Sequence, residues 1–175
     1  YLGSNKVIEK WAKICNENKV MMVTDFANLD KPDDVVDLFH SANLTGGELH
    51  RSNVIMTCNW LVGRGKAEEV GEEENVELPP STSLAGKIHK TLMSQVAAGK
   101  KHGNINEVDA VKFELKKSEI SQLEKMGLVP MVNEYGKIMA FSAKTLFTGD
   151  NIGLQAYSEV RVFDYVTRSE ERREG

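Results

Sequence analysis

The chain has 175 residues, of which 41% are hydrophobic and 27% charged, and its formal net charge is -4. This length suits one domain with a sizeable core. No apolar run approaches the ~18 residues of a membrane span, and the negative charge argues against a nucleic-acid binder that neutralises phosphates with Lys and Arg. Because the sequence starts without Met or a signal peptide, we expect a piece of a longer chain.

The N-terminal residues predict a helix, a strand and a second helix. From Asn5 to Asn18, apolar residues recur at helical spacing, which predicts a helix with one buried stripe. The stripe consists of Val7, Ile8, Trp11, Ile14 and Cys15. The run KVMMVTDF, Lys19 to Phe26, is typical of a strand buried on both faces. Pro32 then opens a helix to about Ala42, since proline is favoured at the first helical position.

The next segment, NVIMTCNWLVGRGKAEE from Asn53 to Glu69, fits two patterns. Apolar residues at i, i+1, i+4, i+7 and i+8 favour a helix behind an N-cap at Ser52, whereas alternation from Val54 to Trp60 fits a strand. We favour the helix because the run is long for a strand. The acidic residues that follow, about 66 to 83, predict an exposed loop. Glu73 and Glu74 could bind a cation there, but a solvated loop is the simpler interpretation.

The middle of the chain is less clearly patterned. Leu84, Ile88, Leu92 and Val96 have helical spacing, although Gly86 and the segment AAGKKHGNINE oppose a helix, so the fold of residues 84 to 107 stays open. Further on, Val111, Phe113 and Leu115 alternate with charged residues, which predicts a half-buried strand. Ser118 then caps a short helix that ends at Met126.

A helix end, a strand and a hairpin are predicted between Leu123 and Ala143. A left-handed Gly127 would place Leu128 against Leu123, as in a Schellman cap. Pro130 cannot donate a ladder hydrogen bond, so its strand should lie at a sheet edge or begin beside one. Gly136 can adopt positive φ and turn the chain into KIMAFSA, an antiparallel partner.

The C-terminal segment predicts a long helix that begins behind a cap at Asp150 or Asn151. Its apolar stripe covers much of the circumference, so this helix should have neighbours on several sides. The stripe consists of Ile152, Ala156, Tyr157, Val160, Phe163 and Val166. Residues 169 to 175 carry no apolar side chain and should fray. The element order therefore predicts one mixed α/β (α+β) domain over residues 1 to 168, with a central mixed sheet flanked by helices and a charged tail.

Few residues suggest chemistry. The Gly-Lys pairs lack the earlier glycine of a phosphate-binding loop, no GxSxG occurs, and the four histidines are too dispersed for an i, i+4 metal pair; they are His40, His50, His89 and His102. Cys15 and Cys58 form no CxxC pair and look like small buried hydrophobes in a reducing compartment. Asp25, at the end of a buried strand, is the best catalytic candidate, with an Asx turn or helix cap as its alternative. We expect no cofactor and no metal.

Three segments resemble the large contractile-sheath subunit of bacterial type VI secretion systems. They are SEISQLEKMGLVPMV (Ser118 to Val132), KIMAFSAKTLF (Lys137 to Phe147) and NIGLQAYSEVRVFDYVTR (Asn151 to Arg168). The resemblance is good from about Val108 to Arg168, with Leu128 where Phe is usual, and looser upstream. It indicates a divergent branch of the family.

The resemblance implies a cytoplasmic, non-enzymatic structural role. Such subunits pair with a small sheath subunit, stack with further copies of themselves in helical rings around an inner tube protein, and contract to propel that tube. Family members exchange strands between subunits, but this chain stops at RSEERREG, so no tail residue is nominated for that exchange. The candidate structural and interaction residues are Gly127, Leu128, Pro130, Gly136, Phe141, Tyr157, Val160 and Phe163.

Two other functions stay open at the sequence level. An α/β enzyme would use Asp25 near a histidine in a concave pocket. A peptide-binding module would instead capture an extended segment along the open edge of the predicted hairpin, and it would need no self-assembly.

Overall fold

The computed structural model describes residues 4–26, 28, 31–64, 75–106 and 108–174. Six α-helices are present in this part of the chain: α1 Asn5–Glu17, α2 Pro32–Ala42, α3 Pro80–Lys90, α4 Gly99–His102, α5 Lys117–Lys125 and α6 Tyr157–Glu174. Short 3-10 helices cover Leu49–Asn53 and Ile152–Gln155. No described helix is both long enough and apolar enough to cross a membrane.

The described strands form two sheets. Their bounds are β1 Met22–Asp25, β2 Val54–Cys58, β3 Leu61–Arg64, β4 Asn75–Leu78, β5 Asn104–Ile105, β6 Val108–Val111, β7 Val129–Glu134 and β8 Lys137–Ala140. The five-stranded sheet has the order β1-β2-β7-β8-β5 and the three-stranded sheet β4-β3-β6. Strands β1, β2 and β7 run parallel, whereas every other pairing is antiparallel. The predicted mixed fold with a central sheet between helices is confirmed; the second sheet was not predicted.

Strand β2 lies at the centre of the molecule. It falls within Asn53 to Glu69, for which the sequence pattern favoured a helix, so that prediction is wrong. All five β2 residues are buried. Ile55 packs with α3 and α6 residues on one face of the sheet, whereas Val54 and Met56 pack with α1, α2 and α5 residues on the other. A strand buried on both faces needs no polar alternation, so its apolar run imitates a buried helix. Ser52, which was expected to be the N-cap of that helix, lies inside the preceding 3-10 helix, whose N-cap position is Glu48.

Strand β7 is interior, so the prediction that Pro130 marks a sheet edge is also wrong. Its parallel pairing with β2 covers only Thr57 with Val129 and Cys58 with Pro130. The missing N–H of Pro130 therefore falls where this ladder ends. The Pro130 carbonyl still accepts a hydrogen bond at 2.9 Å from the N–H of Phe141, the residue after β8. The hairpin edge proposed for peptide capture is consequently covered within the chain, because β7 and β8 lie between β2 and β5.

The buried side chain of Asn59 continues the pairing beyond Pro130. Its Nδ2 donates to the Met131 carbonyl at 2.7 Å, and its Oδ1 accepts from the Met131 N–H at 2.8 Å. One amide thus satisfies both backbone groups of the next β7 residue. The Asn59 backbone is left-handed, with φ 50°, and this conformation separates β2 from β3.

The predicted helix end and hairpin are confirmed. Gly127 has φ 100°, Leu128 N–H donates to the Leu123 carbonyl at 3.1 Å, and both leucines are buried. These features define the Schellman cap. Tyr135 and Gly136 both have positive φ between the paired Glu134 and Lys137, as a two-residue hairpin requires.

Several predicted boundaries shift. The strand expected at Val111 to Leu115 is instead β6, because Val111 pairs with Leu61 and Phe113 lies beyond the ladder. The N-cap of α5 is Lys116 rather than Ser118, with Glu119 accepting from the Lys116 N–H. Residues 75–78 of the expected acidic loop form β4, paired with β3, and α3 starts at Pro80. The remainder of that loop, 65–74, lies outside the described residues, and so do Glu73 and Glu74.

The C-terminal helix differs at both ends from its prediction. Asn151 caps only the short 3-10 helix, accepting from the Gly153 N–H, and α6 begins at Tyr157. Residues 169–174 continue α6 instead of fraying. Helix α3 ends at Lys90, so Leu84 and Ile88 are buried while Leu92 and Val96 are exposed.

Candidate interaction surface

Asp25 forms a structural cap. Its Oδ1 accepts from the Ser81 N–H and the Thr57 hydroxyl, both at 2.8 Å, and its Oδ2 accepts from the Ser81 hydroxyl at 2.5 Å. Since Ser81 lies in the first turn of α3, the buried carboxylate satisfies an N-terminal N–H of that helix and ties it to β1 and β2. The cap alternative therefore fits this residue better than catalysis does.

The other candidates for chemistry are the possible metal ligands and the two cysteines, and the described structure shows no reactive arrangement of either. Among the described residues, no three His, Cys, Asp or Glu side chains lie close enough to hold a metal ion. Both cysteines are free thiols. Cys58 is buried, and burial raises its pKa to about 12; the partly exposed Cys15 also has a raised pKa because of burial. Neither thiol is prepared as a nucleophile, since that role needs a lowered pKa.

An apolar groove of about 900 Å³ runs beside α6. One wall is the outer face of α6, with Val162, Phe163 and Val166. The opposite wall is residues 93–96, and Leu49 and Leu154 extend the lining. Phe163 is 60% exposed and Leu49 is 53% exposed. So much clustered apolar surface is typical of a protein interaction site.

Buried polar contacts fix α6, and hence the groove, to the core. Tyr157 is 1% exposed, and its hydroxyl donates to the Ala97 carbonyl at 2.8 Å. Asn53 donates to Asp164 Oδ2 at 3.0 Å and accepts at 2.9 Å from Asn16 of α1. Burial raises the pKa of the Asp164 carboxyl, while the Asn53 hydrogen bond, Lys19 and Arg168 oppose that shift. Helix α6, which forms one wall of the groove, is therefore fixed by contacts with two separate segments, at Ala97 and at Asn53.

A second apolar surface lies on α1. The predicted buried stripe divides, because Ile8 faces the core with Ala12 while three of its other members face outward. Val7 and Ile14 are each 36% exposed and Trp11 is 52% exposed. Their i, i+4, i+7 spacing places them along one line of the helix. We call Val7, Trp11 and Ile14 the α1 ridge.

The nominated interaction residues fall into two groups. Leu128, Pro130, Tyr157 and Val160 are buried and shape the fold, and Val160 also contributes to the groove lining. Phe141 and Phe163 are exposed. Of these two, only Phe163 lies in the groove lining. Gly127 and Gly136 set turns. No contact with another molecule tests these assignments, which stay predictions.

Comparison with known families identifies the chain. The model described as "Type VI secretion system TssC/VipB, central domain" matches residues 1–148. This range covers most of the chain, including the segment before Val108 where the sequence resemblance was loose. The chain belongs to the TssC/VipB central-domain family.

Solved structures share the TssC/VipB-like fold at low sequence identity. The anti-feeding prophage baseplate structure matches with a TM-score of 0.65 and 18% identity, covering 95% of this chain and 40% of that one. The anti-feeding prophage helical sheath in the contracted state matches at 0.64 and 17%, covering 95% and 41%. The PVC sheath complex of an extracellular contractile injection system, also contracted, matches at 0.64 and 15%, covering 86% and 39%. The fold is that of contractile-sheath subunits.

This TssC/VipB chain spans about two fifths of the structures it matches. Comparison with curated proteins gives no match. Sequence reasoning missed the exposure of the α1 ridge and the groove wall at residues 93–96. The only available signal for the ridge was the width of the α1 stripe, which exceeds what one buried face requires.

Proposed function

We propose that this chain is the central part of a structural subunit of a type VI secretion contractile sheath. The observation that carries the proposal is the family match over residues 1–148. In this function the protein pairs with a small sheath subunit in the bacterial cytoplasm and stacks with its own copies around an inner tube. Contraction then propels the tube.

The physical character of the subunit supports this role. Contraction by rigid-body movement needs subunits that keep their shape while their packing changes. Here a central sheet separates two apolar clusters, and buried polar side chains such as Asp25 and Asn59 bond to the backbone. Exposed apolar side chains on α1 and α6 offer surfaces where neighbouring subunits can dock.

Neither alternative function is favoured by a specific observation. Asp25 caps a helix, and the β7–β8 hairpin lies inside a sheet between β2 and β5. A non-enzymatic assembly role therefore accounts for the described residues best.

Electron microscopy of the full-length protein co-expressed with its small partner tests the proposal. We expect hollow helical tubes in the co-expressed sample and none when either subunit is expressed alone. A soluble, strictly monodisperse complex without tubes would contradict a sheath role. Binding of a peptide without any concentration-dependent polymer would indicate an isolated binding module.

A further inference from the structure

The described structure leaves two apolar surfaces of opposite shape without a partner. The α1 ridge is convex, and the Trp11 side chain stands at its middle with half its surface exposed. The groove beside α6 is concave and lined mainly by aliphatic and aromatic side chains, including Phe163 and Val166. Buried Trp side chains that enter apolar pockets are frequent anchors of protein interfaces.

The chemistry of the groove suits a protein side chain better than a small polar ligand. Small-molecule pockets combine apolar walls with convergent polar groups that fix the orientation of a ligand. In the groove, Glu159 is the only charged residue that the described structure places in the lining. The remaining polar lining consists of small or amide side chains, such as Ser94 and Gln95 on the wall opposite α6 and Asn151.

The charges around the two surfaces are complementary. Lys6, Lys10 and Lys13 lie along the flank of the ridge, and all three are exposed. Lys13 pairs with Glu9 of the same helix at 3.6 Å, and Glu17 also lies on that flank, so the net charge there is positive. The groove lining carries the opposite sign, because Glu159 is the one charged residue that the described structure places there. Such an arrangement steers one surface towards the other.

We propose that the α1 ridge of one copy of this chain docks into the α6 groove of the next copy. The inference rests on the proposed sheath function and names the contact through which neighbouring copies stack. Because ridge and groove are different surfaces, each copy keeps one of them free after pairing. A contact of this heterologous kind propagates into rings or open helical polymers.

Charge exchange on the full-length protein tests the contact. We expect Lys10→Glu and Glu159→Lys each to weaken self-association about fivefold to tenfold at low salt, because each brings like charges together. The double variant should recover most of the wild-type association, whereas two independent structural defects would not cancel. Sedimentation velocity gives the association constants, and far-UV circular dichroism checks that each variant folds.

Truncation of the anchors provides a second readout. Trp11→Ala and Phe163→Ala should each weaken association tenfold or more. Tyr165→Ala is the matched control, since Tyr165 is exposed on the same helix but lies outside the groove lining. A mixture of Trp11→Ala and Phe163→Ala proteins retains one intact ridge and one intact groove, so it should form dimers and nothing longer.

The outcomes separate the contact from the sheath role. If tubes form equally well in all four single variants, the two charge reversals and the two truncations, the ridge-groove contact is wrong and the sheath role stands. Association that is rescued by charge exchange without any tubes would overturn the sheath role alone. Absence of self-association in the wild-type protein, or the same loss with Tyr165→Ala, would also overturn the contact.

Discussion

At the scale of single residues, buried polar side chains in this protein substitute for backbone pairing. Asn59 bonds to both backbone groups of Met131, and Asp25 to the first turn of α3. Each lies at the end of a parallel strand, where the ladder stops but the chain is still buried. Leaving such groups unpaired costs about 1–3 kcal/mol each, so these side chains matter for stability.

We therefore predict a graded response at Asn59. Asn59→Gly keeps the left-handed backbone but removes the amide, and should lower the free energy of unfolding by about 2 kcal/mol. Asn59→Ala also strains the backbone at φ 50° and should cost about 1 kcal/mol more. Urea denaturation measures both. A Gly variant as stable as the wild type would show that the amide bonds contribute little.

Asp164 predicts a specific pH dependence. Burial raises its folded-state pKa, so on acidification the folded state binds this proton before the unfolded state does. Wild type should therefore gain stability relative to Asp164→Asn as the pH falls through the raised pKa towards the unfolded value of about 3.9. Lys19 and Arg168 oppose the shift and limit the gain. Chemical denaturation from pH 7 to 4 measures the difference, and a constant difference would contradict the prediction.

At the scale of elements, the turns that contain glycine were predicted correctly, whereas the N-caps proposed at Ser52 and Ser118 were not. The Schellman cap at Gly127 and the Tyr135-Gly136 turn depend on neighbours in sequence, so the sequence was sufficient to predict them. The assignment of β2 failed because burial on both faces comes from helices distant in sequence. The edge prediction for Pro130 failed because the β2–β7 ladder ends at this residue, and the side chain of Asn59, which follows β2, pairs with the next residue, Met131.

The two turn glycines should respond differently to alanine. At Gly127 (φ 100°), a Cβ would lie 3.2 Å from the Thr145 carbonyl oxygen, whereas at Gly136 (φ 81°) nothing lies within 4 Å of it. Gly136→Ala should cost about 1 kcal/mol for the backbone alone, and Gly127→Ala about 2 kcal/mol or more. Thermal or urea unfolding measures both. Equal losses would indicate that crowding at Gly127 is relieved easily.

At the scale of the whole molecule, a sheet with helices on both faces carries two apolar helical surfaces that are exposed in the described part of the chain. The sequence predicted the exposed Phe163 as an interaction residue and the apolar breadth of α6. It could not predict the groove, because the opposite wall at residues 93–96 is brought to α6 by the Tyr157 contact with Ala97. The α1 ridge escaped prediction because periodicity does not show which part of a wide stripe meets the core.

Helical reconstruction by cryo-electron microscopy of the full-length protein, co-expressed with its small partner, shows whether this fold builds a contractile sheath. We expect a hollow tube whose wall repeats this fold, with its central sheet and the α6 helix fitted as a rigid body. A tube wall that does not contain the fold, or a purified complex that stays as single soluble particles at every concentration, would contradict it.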